Sequence, residues 1–419
     1  MKNGDRKIFD KGEPVRPRDA DFTVLMLGQR RTGKSSVLSS MITSMEKICG
    51  DTGFRFTADD DTKILMKTKL SQLQNIFHAF KEEDLFSTME GFRGDVDFGV
   101  QTDADITYRF LLEQVNTKKK AKTFVIDFID VRGESMTEDF SSACGPSVND
   151  LIMRSGVLMI AVDAPALMEG RIKDGVGEYH KSVNLPDDII NHITAADIQM
   201  RQNLKKKQTL LPRLVLFVPL KCEKYYFENR MEELNRRIMA GYKNLITFFE
   251  ANREYTVAVT PILTLGDVVF DHYQTRTVKG PGGMEREVAV TFGDSGPRSM
   301  RTVPRYPMFR FRTSRPKFTP RYCEQPLLYT LAYVSSLSGL VKEKSGGMVR
   351  TVVIWAAVFF FFGGLGLIGG KGLEYLLKAL NSNPELQNAV DEVIGRLKTD
   401  GDGYQLVYDN LGLGKEQRT

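Results

Sequence analysis

Apolar positions in this chain follow two rhythms. Short continuous runs at 22–27, 106–115, 122–130, 156–163, 213–220 and 255–262 have the length and composition of buried strands. Elsewhere the spacing lengthens to that of helices. Leu70, Leu73, Ile76, Phe77 and Phe80 share one face over 70–80, and 228–251 sets its charges toward solvent. Strand runs alternating with helical stretches predict an α/β fold, a mainly parallel sheet with flanking helices. From Leu265 to Gln325 the rhythm breaks. Gly, Pro, Arg and aromatics take over, and Pro281-Gly282-Gly283 marks a turn, so irregular structure or hairpins are expected. Beyond Pro326 apolar helical spacing returns. The chain thus divides into an N-terminal extension (1–20), a core domain (21–265), a basic aromatic extension (266–326) and a helical C-terminal region (327–419).

Composition changes this picture little. With 419 residues, 42% of them apolar, the chain can bury a large core, and a net charge of +5 is too modest to argue for nucleic acid by itself. Cys49, Cys144, Cys222 and Cys323 form no Cys-x-x-Cys pair, which argues against a zinc site or a disulfide framework and for a reducing cytosol. Met1 to Pro17 is polar and lacks the apolar centre of a signal peptide. His78, His180, His192 and His272 show no metal spacing and are expected to be structural.

The chemistry enters at the end of the first strand run. Gly28-Gln29-Arg30-Arg31-Thr32-Gly33-Lys34-Ser35 fits the phosphate-binding pattern Gly-x-x-x-x-Gly-Lys-Ser/Thr. The glycines let main-chain N–H groups wrap a triphosphate, Lys34 reaches its β and γ oxygens, and the Ser35 hydroxyl ligates Mg²⁺. Val37, Leu38, Met41, Ile42 and Met45 follow at helical spacing, so the loop opens a helix whose N-terminus favours anions. Gly28 through Ser36 are assigned to nucleotide binding, Ser36 included.

A second element lies roughly a hundred residues on, where the run Phe124 to Asp130 ends in Asp130-Val131-Arg132-Gly133-Glu134. Asp130 at a strand tip can hold Mg²⁺ through water, and the Gly133 N–H can meet a γ-phosphate. On these residues the chain resembles the translation-factor and Ras-related class of P-loop GTPases, whose pattern Leu-Asp-Ile-Leu-Asp-Thr-Ala-Gly is similar to Ile126-Asp127-Phe128-Ile129-Asp130-Val131-Arg132-Gly133. The resemblance implies a Ras-like core and a Mg²⁺-binding threonine ahead of the preceding strand. Thr102 is the first choice and Thr107 the second. It also implies base recognition after the run Arg213 to Pro219, where Leu220-Lys221-Cys222-Glu223 stands in place of Asn-Lys-x-Asp. Glu223 can accept from guanine N1 and N2, the Lys221 stem can pack on the base, and Thr260 in the next strand can line it. Leu220 cannot do an asparagine's work.

The segments Pro219 to Tyr225, Val259 to Ile262 with Leu265-Gly266, and Pro320 to Tyr329 resemble the prokaryotic double-GTPase family. That resemblance implies a role in bacterial conflict or antiphage defence and a second GTPase or effector as partner. Glu134 occupies the place where such GTPases commonly carry a water-orienting glutamine. A carboxylate beside a triphosphate is repelled unless a cation intervenes, so slow unaided hydrolysis is expected, with Arg30, Arg31 or Arg132 compensating. Lys34, Glu134, Arg30 and Arg132 are the candidate catalytic residues.

Two stretches lie outside the core pattern. Arg298, Arg301, Arg305, Arg310, Arg312, Arg315, Lys317 and Arg321 alternate with aromatics and contain no acid among them. They suit either a basic face for nucleic acid, anionic lipid or an acidic partner, or a solvated hairpin tucked against the core. Residues 352–370 lack strongly polar side chains and would span roughly 28 Å as a helix, close to a bilayer's core of about 30 Å. A span anchoring a cytoplasmic nucleotide domain to the inner membrane and an apolar hairpin packed on the body both fit. The function these features point to is a Mg²⁺-dependent GTPase switch. The alternatives are an ATPase of similar fold, or a poorly hydrolysing nucleotide-bound scaffold for nucleic acid or protein.

Overall fold

The apolar runs fold as strands and the periodic stretches as helices, in a computed structural model that describes residues 20–29, 32–78, 92–93, 105–115, 123–136, 146–169, 179–204, 210–273, 275–279, 285–289, 291–292, 303–304, 307–344 and 370–414. The first half contains β1 (Phe22–Leu27), α1 (Lys34–Asp51), β2 (Phe54–Ala58), α2 (Asp60–His78), β3 (Phe92–Arg93), β4 (Ile106–Gln114) and β5 (Thr123–Asp130). Next come α3 (Val148–Arg154), β6 (Val157–Asp163), α4 (Ala164–Met168), α5 (Tyr179–Asn184), α6 (Pro186–Asn203) and β7 (Arg213–Leu220). Then follow α7 (Glu223–Phe227), α8 (Met231–Gly241), α9 (Lys243–Ala251), β8 (Tyr255–Val259), β9 (Val268–Tyr273), β10 (Thr275–Lys279), β11 (Glu285–Ala289), β12 (Thr291–Phe292), β13 (Val303–Pro304) and β14 (Pro307–Phe311). The chain closes with α10 (Gln325–Lys344), α11 (Gly370–Ser382), α12 (Pro384–Ile394), β15 (Asp400–Gly401) and β16 (Tyr404–Tyr408).

A nine-stranded sheet in the order β15-β16-β8-β7-β6-β1-β5-β4-β2 forms the centre of this mixed α/β fold. The strands β5, β1, β6, β7 and β8 run parallel, as the alternation predicts. The 106–115 run does not join them in parallel. β4 pairs antiparallel with β5, because residues 115–122 are too few for a parallel crossover, and β2 continues antiparallel beyond it.

Both faces of the sheet are covered. In β1, Val24 and Met26 enter a core shared with α1 and the C-terminal helices, while Leu25 and Leu27 enter the opposite core with α3 and α6 to α9. Alternate residues of one strand thus serve two layers, which is why the run reads as continuously apolar. Val37, Leu38, Met41 and Met45 of α1 are buried as expected. The stretch 228–251 is two helices, α8 and α9, divided at Tyr242.

The C-terminal region is not purely helical. Leu373, Leu377, Leu380, Leu386, Val390, Val393 and Leu397 are buried at helical spacing, but β16 then pairs antiparallel with β8 and extends the central sheet. A strand there satisfies main-chain groups at the β8 edge that would otherwise face solvent. Residues 352–369 lie outside the described residues, and among the described residues no helix is long and apolar enough to cross a membrane. The basic aromatic extension supplies β14, which joins β3 and β9 in a small antiparallel sheet packed on Leu73 through Phe309.

Candidate functional site

The chain runs from β1 to strands on its β5 side, then crosses to β6, β7 and β8 on the other. Such a reversal leaves a crevice at the carboxyl ends of the parallel strands, where ligands of open α/β sheets bind. Gly28 begins the loop at that point. Its φ is +141°, and a Cβ there would lie 3.0 Å from the Ala161 carbonyl oxygen and 3.1 Å from the Ala161 Cβ on β6, so only glycine fits. Gly33, at φ +109°, is the residue on which α1 starts.

The side chains of the loop converge. Lys34 Nζ donates to the carbonyls of Gly28 at 2.6 Å and Gln29 at 3.2 Å, and stands 3.3 Å from Asp130 Oδ1. Ser35 Oγ donates to Asp130 Oδ2 at 3.1 Å. Thr32 Oγ1 braces the loop by donating to the Gln29 carbonyl at 3.0 Å, and the Ser36 N–H donates to the Gly33 carbonyl in the first turn of the helix. Asp130 therefore gathers the Lys34 ammonium and the hydroxyl of Ser35, which lies 95 residues away in sequence. Arg30 and Arg31 lie outside the described residues.

Two oxygens, Ser35 Oγ and one from Asp130, share this corner, and hard oxygen donors of this kind suit Mg²⁺. Tyr108 of β4 was not foreseen. Its buried phenol is raised above its ordinary value by burial, with a hydrogen bond to Ser35 opposing and the Asp130 charge reinforcing the rise. Its signal in the sequence is only that of one more strand aromatic.

Beyond Asp130 the expected sensors are partly placed. Gly133 is buried and its carbonyl accepts from the Met136 N–H at 3.2 Å, in a short 3₁₀ turn that Glu134 begins; the Glu134 side chain lies outside the described residues. The Arg132 N–H donates to Asp105 Oδ1 at 2.9 Å, and its Nε lies 3.7 Å from the same oxygen. Thr102 lies outside the described residues, and Thr107 sits exposed within β4, opposite Ile129.

The far side of the crevice is arranged differently. Leu220 faces the loop, its Cδ1 3.6 Å from where a Cβ on Gly33 would stand. Lys221 Nζ lies 2.6 Å from Oδ2 of Asp163, the last residue of β6, which sequence reasoning did not single out. Asp163 caps α4 by accepting from the Ala166 N–H at 2.9 Å. Glu223 is fully enclosed: Oε1 accepts from the Leu265 N–H at 2.7 Å, while Oε2 has no partner among the described residues. Burial pushes its carboxyl up to about 7, against the lowering effect of the Leu265, Glu223 and Thr264 N–H groups and the Lys221 charge. Thr260 is also buried; its N–H donates to the Phe217 carbonyl at 2.8 Å, and its Oγ1 has no partner among the described residues. The structure brings Lys221 to the crevice and sets Glu223 beneath the 260–265 loop.

Two of the histidines serve the scaffold, and the His78 side chain lies outside the described residues. His192 bridges Asn149 and the Met136 carbonyl, and His180 sits between Asn184 and the Gly241 carbonyl.

No family model matches this chain, and no curated protein matches it. Similar solved structures include the Saccharomyces cerevisiae Ski7 GTPase-like domain bound to GTP, with 14% identity and a TM-score of 0.27 over 59% of this chain and 43% of that one. The same domain bound to GDP and inorganic phosphate gives 14% identity and a TM-score of 0.27 over 59% of this chain and 44% of that one. The chain thus spans less than half the length of these matched chains.

Proposed function

We propose that this chain is a Mg²⁺-dependent nucleotide switch that binds GTP and hydrolyses it to GDP and phosphate. The observation that carries the reading is the convergence of Lys34 and Ser35 on Asp130 where β1 opens into the crevice. The ammonium that now rests on Gly28 and Gln29 carbonyls is free to exchange those neutral partners for phosphate oxygens, a stronger charge-assisted contact. Ser35 and Asp130 would hold Mg²⁺, with Thr102 as the further candidate ligand; the ion would supply charge neutralisation on the phosphates. Main-chain N–H groups from Gly28 to Ser36 bind the phosphate tail and fix its register for attack by water.

Glu134 is the candidate for orienting that water. As a carboxylate it raises the negative charge beside the γ-phosphate, so turnover without a partner is slow. Arg30 lies inside the loop sequence and Arg132 follows Asp130; release of Arg132 from Asp105 would make its guanidinium available to the transferring phosphoryl group. The order Lys221-Cys222-Glu223 after β7 supports guanine. The apolar Leu220 and the enclosure of Glu223 favour a second reading, an ATPase on the same fold.

Titration with fluorescent mant-GTP and mant-ATP in Mg²⁺ separates the two. Tight mant-ATP binding without mant-GTP binding refutes guanine; failure of both refutes the nucleotide reading. The resemblance to the double-GTPase family supports a place in a bacterial conflict system with a second GTPase or effector. Equal phage plating on cells with wild-type chain and with Lys34→Ala would remove that role.

A further inference from the structure

Lys221 and Asp163 form a pair on the side of the crevice away from Asp130, with side chains only 13% and 6% exposed. Asp163 is the rigid partner. Its Oδ1 accepts from the Ala166 N–H, its own N–H donates to Asn184 Oδ1 at 2.7 Å, and its carbonyl accepts from Asn184 Nδ2 at 3.2 Å. Lys221 is the adapted partner, adopting φ +55°, a left-handed conformation unfavourable to a residue with a Cβ. The residue before it, Leu220, presents to the loop at Gly33 only an apolar side chain, its Cδ1 3.6 Å from where a Cβ on Gly33 would stand. Asp163 is therefore the polar brace of this corner.

The orientation of a triphosphate follows from the other corner. Lys34, Ser35 and Asp130 draw its terminal phosphates to the β5 side of β1, so the nucleoside end leaves over β6 and β7. There it meets Lys221. We infer that Asp163 is a positioning residue for the nucleoside: by anchoring the Lys221 ammonium, it lays the lysine's methylene stem beside the phosphate loop as the apolar surface against which the base packs. This rests on the nucleotide reading above and adds to it the residue that shapes the base subsite. Lys221 alone cannot do this, because an unanchored ammonium on a four-carbon stem seeks water and spreads over many rotamers.

The test is calorimetric titration of the full chain with Mg²⁺ and GTP, ATP or inorganic tripolyphosphate. Asp163→Asn keeps an oxygen to cap α4 but removes the charge that holds Lys221. It is expected to weaken binding of whichever nucleotide the wild type binds by about ten- to a hundredfold, the loss of one charge-assisted contact, while tripolyphosphate affinity stays within about twofold. A merely structural role would move both. Lys221→Met keeps the stem, loses the anchor and should show the same selective loss; the lysine, the more exposed member of the pair, also keeps the test open should Asp163→Asn fold poorly. The double variant should bind no more weakly than the weaker single one. Parallel loss of tripolyphosphate, no loss of nucleotide, or losses that add would overturn the inference and leave the nucleotide reading intact. A wild-type chain that binds neither nucleotide nor tripolyphosphate would overturn that reading itself.

Discussion

The two ends of the crevice are built from different materials. At the β5 end, the corner proposed to take phosphate offers main-chain amides, one ammonium resting on loop carbonyls, one hydroxyl and a single aspartate, all held by close sequence spacing and one strand pairing. At the β7 end, Lys221 is paired with Asp163, Glu223 is closed beneath Leu265, and Thr260 is buried. On the proposed reading, the end that takes phosphate keeps exchangeable partners, whereas the end that takes the nucleoside has committed most of its polar groups to the scaffold. A charged, shape-invariant ligand fragment can be met by main chain. A particular base needs side chains, and here those side chains also hold the fold.

This contrast can be broken most forcefully at Lys34. Lys34→Ala removes the only charged donor the loop offers among the described residues, and should weaken nucleotide and tripolyphosphate binding alike by at least about a hundredfold. Equilibrium titration checks it, and retention of wild-type affinity would mean the loop does not hold the phosphates. Asp163→Asn should separate the two ligands where Lys34→Ala does not.

Glu223 gives the next largest effect, on stability. Its carboxyl is held up to about 7 in the fold, against an ordinary value of 4.5. Between those values the folded state retains a proton that the unfolded state has released, so stability is fullest below the lower value and declines as pH rises through the upper one. The total is roughly 3 kcal/mol, an order of magnitude set by burial. Glu223→Gln keeps an oxygen for the Leu265 N–H and should flatten this dependence. Urea midpoints from about pH 5 to about pH 8 measure it; a slope unchanged by the substitution would assign the titration to another group.

The glycines sharpen the comparison within the loop itself. Gly28→Ala forces a Cβ against the Ala161 main chain and should cost about 1–3 kcal/mol. Gly33→Ala carries similar backbone strain but meets only the end of the Leu220 side chain at 3.6 Å, so it should cost less. Thermal melts of the two variants rank them, and the reverse order would indicate that the helix start, not the contact with β6, sets the requirement.

The same contrast explains what could be read from the chain. Gly28, Gly33, Lys34 and Ser35 are legible because eight consecutive residues encode the whole geometry, and Asp130 because it ends a strand that must neighbour β1. The antiparallel turn of β4 was also within reach, since residues 115–122 are too few for a crossover. Asp163 was not legible, since nothing near it in sequence announces Lys221, which arrives 58 residues later by the register of β6 with β7. Glu223 was visible as a residue but not as a buried one: its enclosure comes with the return of the chain at Leu265, 42 residues later. Side chains whose partners come from distant strands become readable only once the sheet order is known.

The smallest effect belongs to β14, where sequence left a basic face and a tucked hairpin both standing. β9 and the residue just before it supply the acids that the basic stretch itself lacks: Arg310 Nε lies 3.0 Å from Asp271 Oδ1, and Arg312 Nη2 lies 2.6 Å from Asp267 Oδ1. Arg312 also stacks over the Phe227 ring at 4.0 Å, which ties the small sheet to α7, next to Lys221. Arg310 is half exposed, so its pair is screened, and Arg310→Ala should cost less than about 1 kcal/mol. Arg312→Ala should cost more, because it loses the ring contact as well, worth about 0.5–1 kcal/mol at an exposed site. Denaturant titration gives both values. If Arg310→Ala instead left stability unchanged but abolished a salt-sensitive interaction with nucleic acid, the strand would be a binding face whose partners Asp267 and Asp271 merely hold it until a polyanion displaces them.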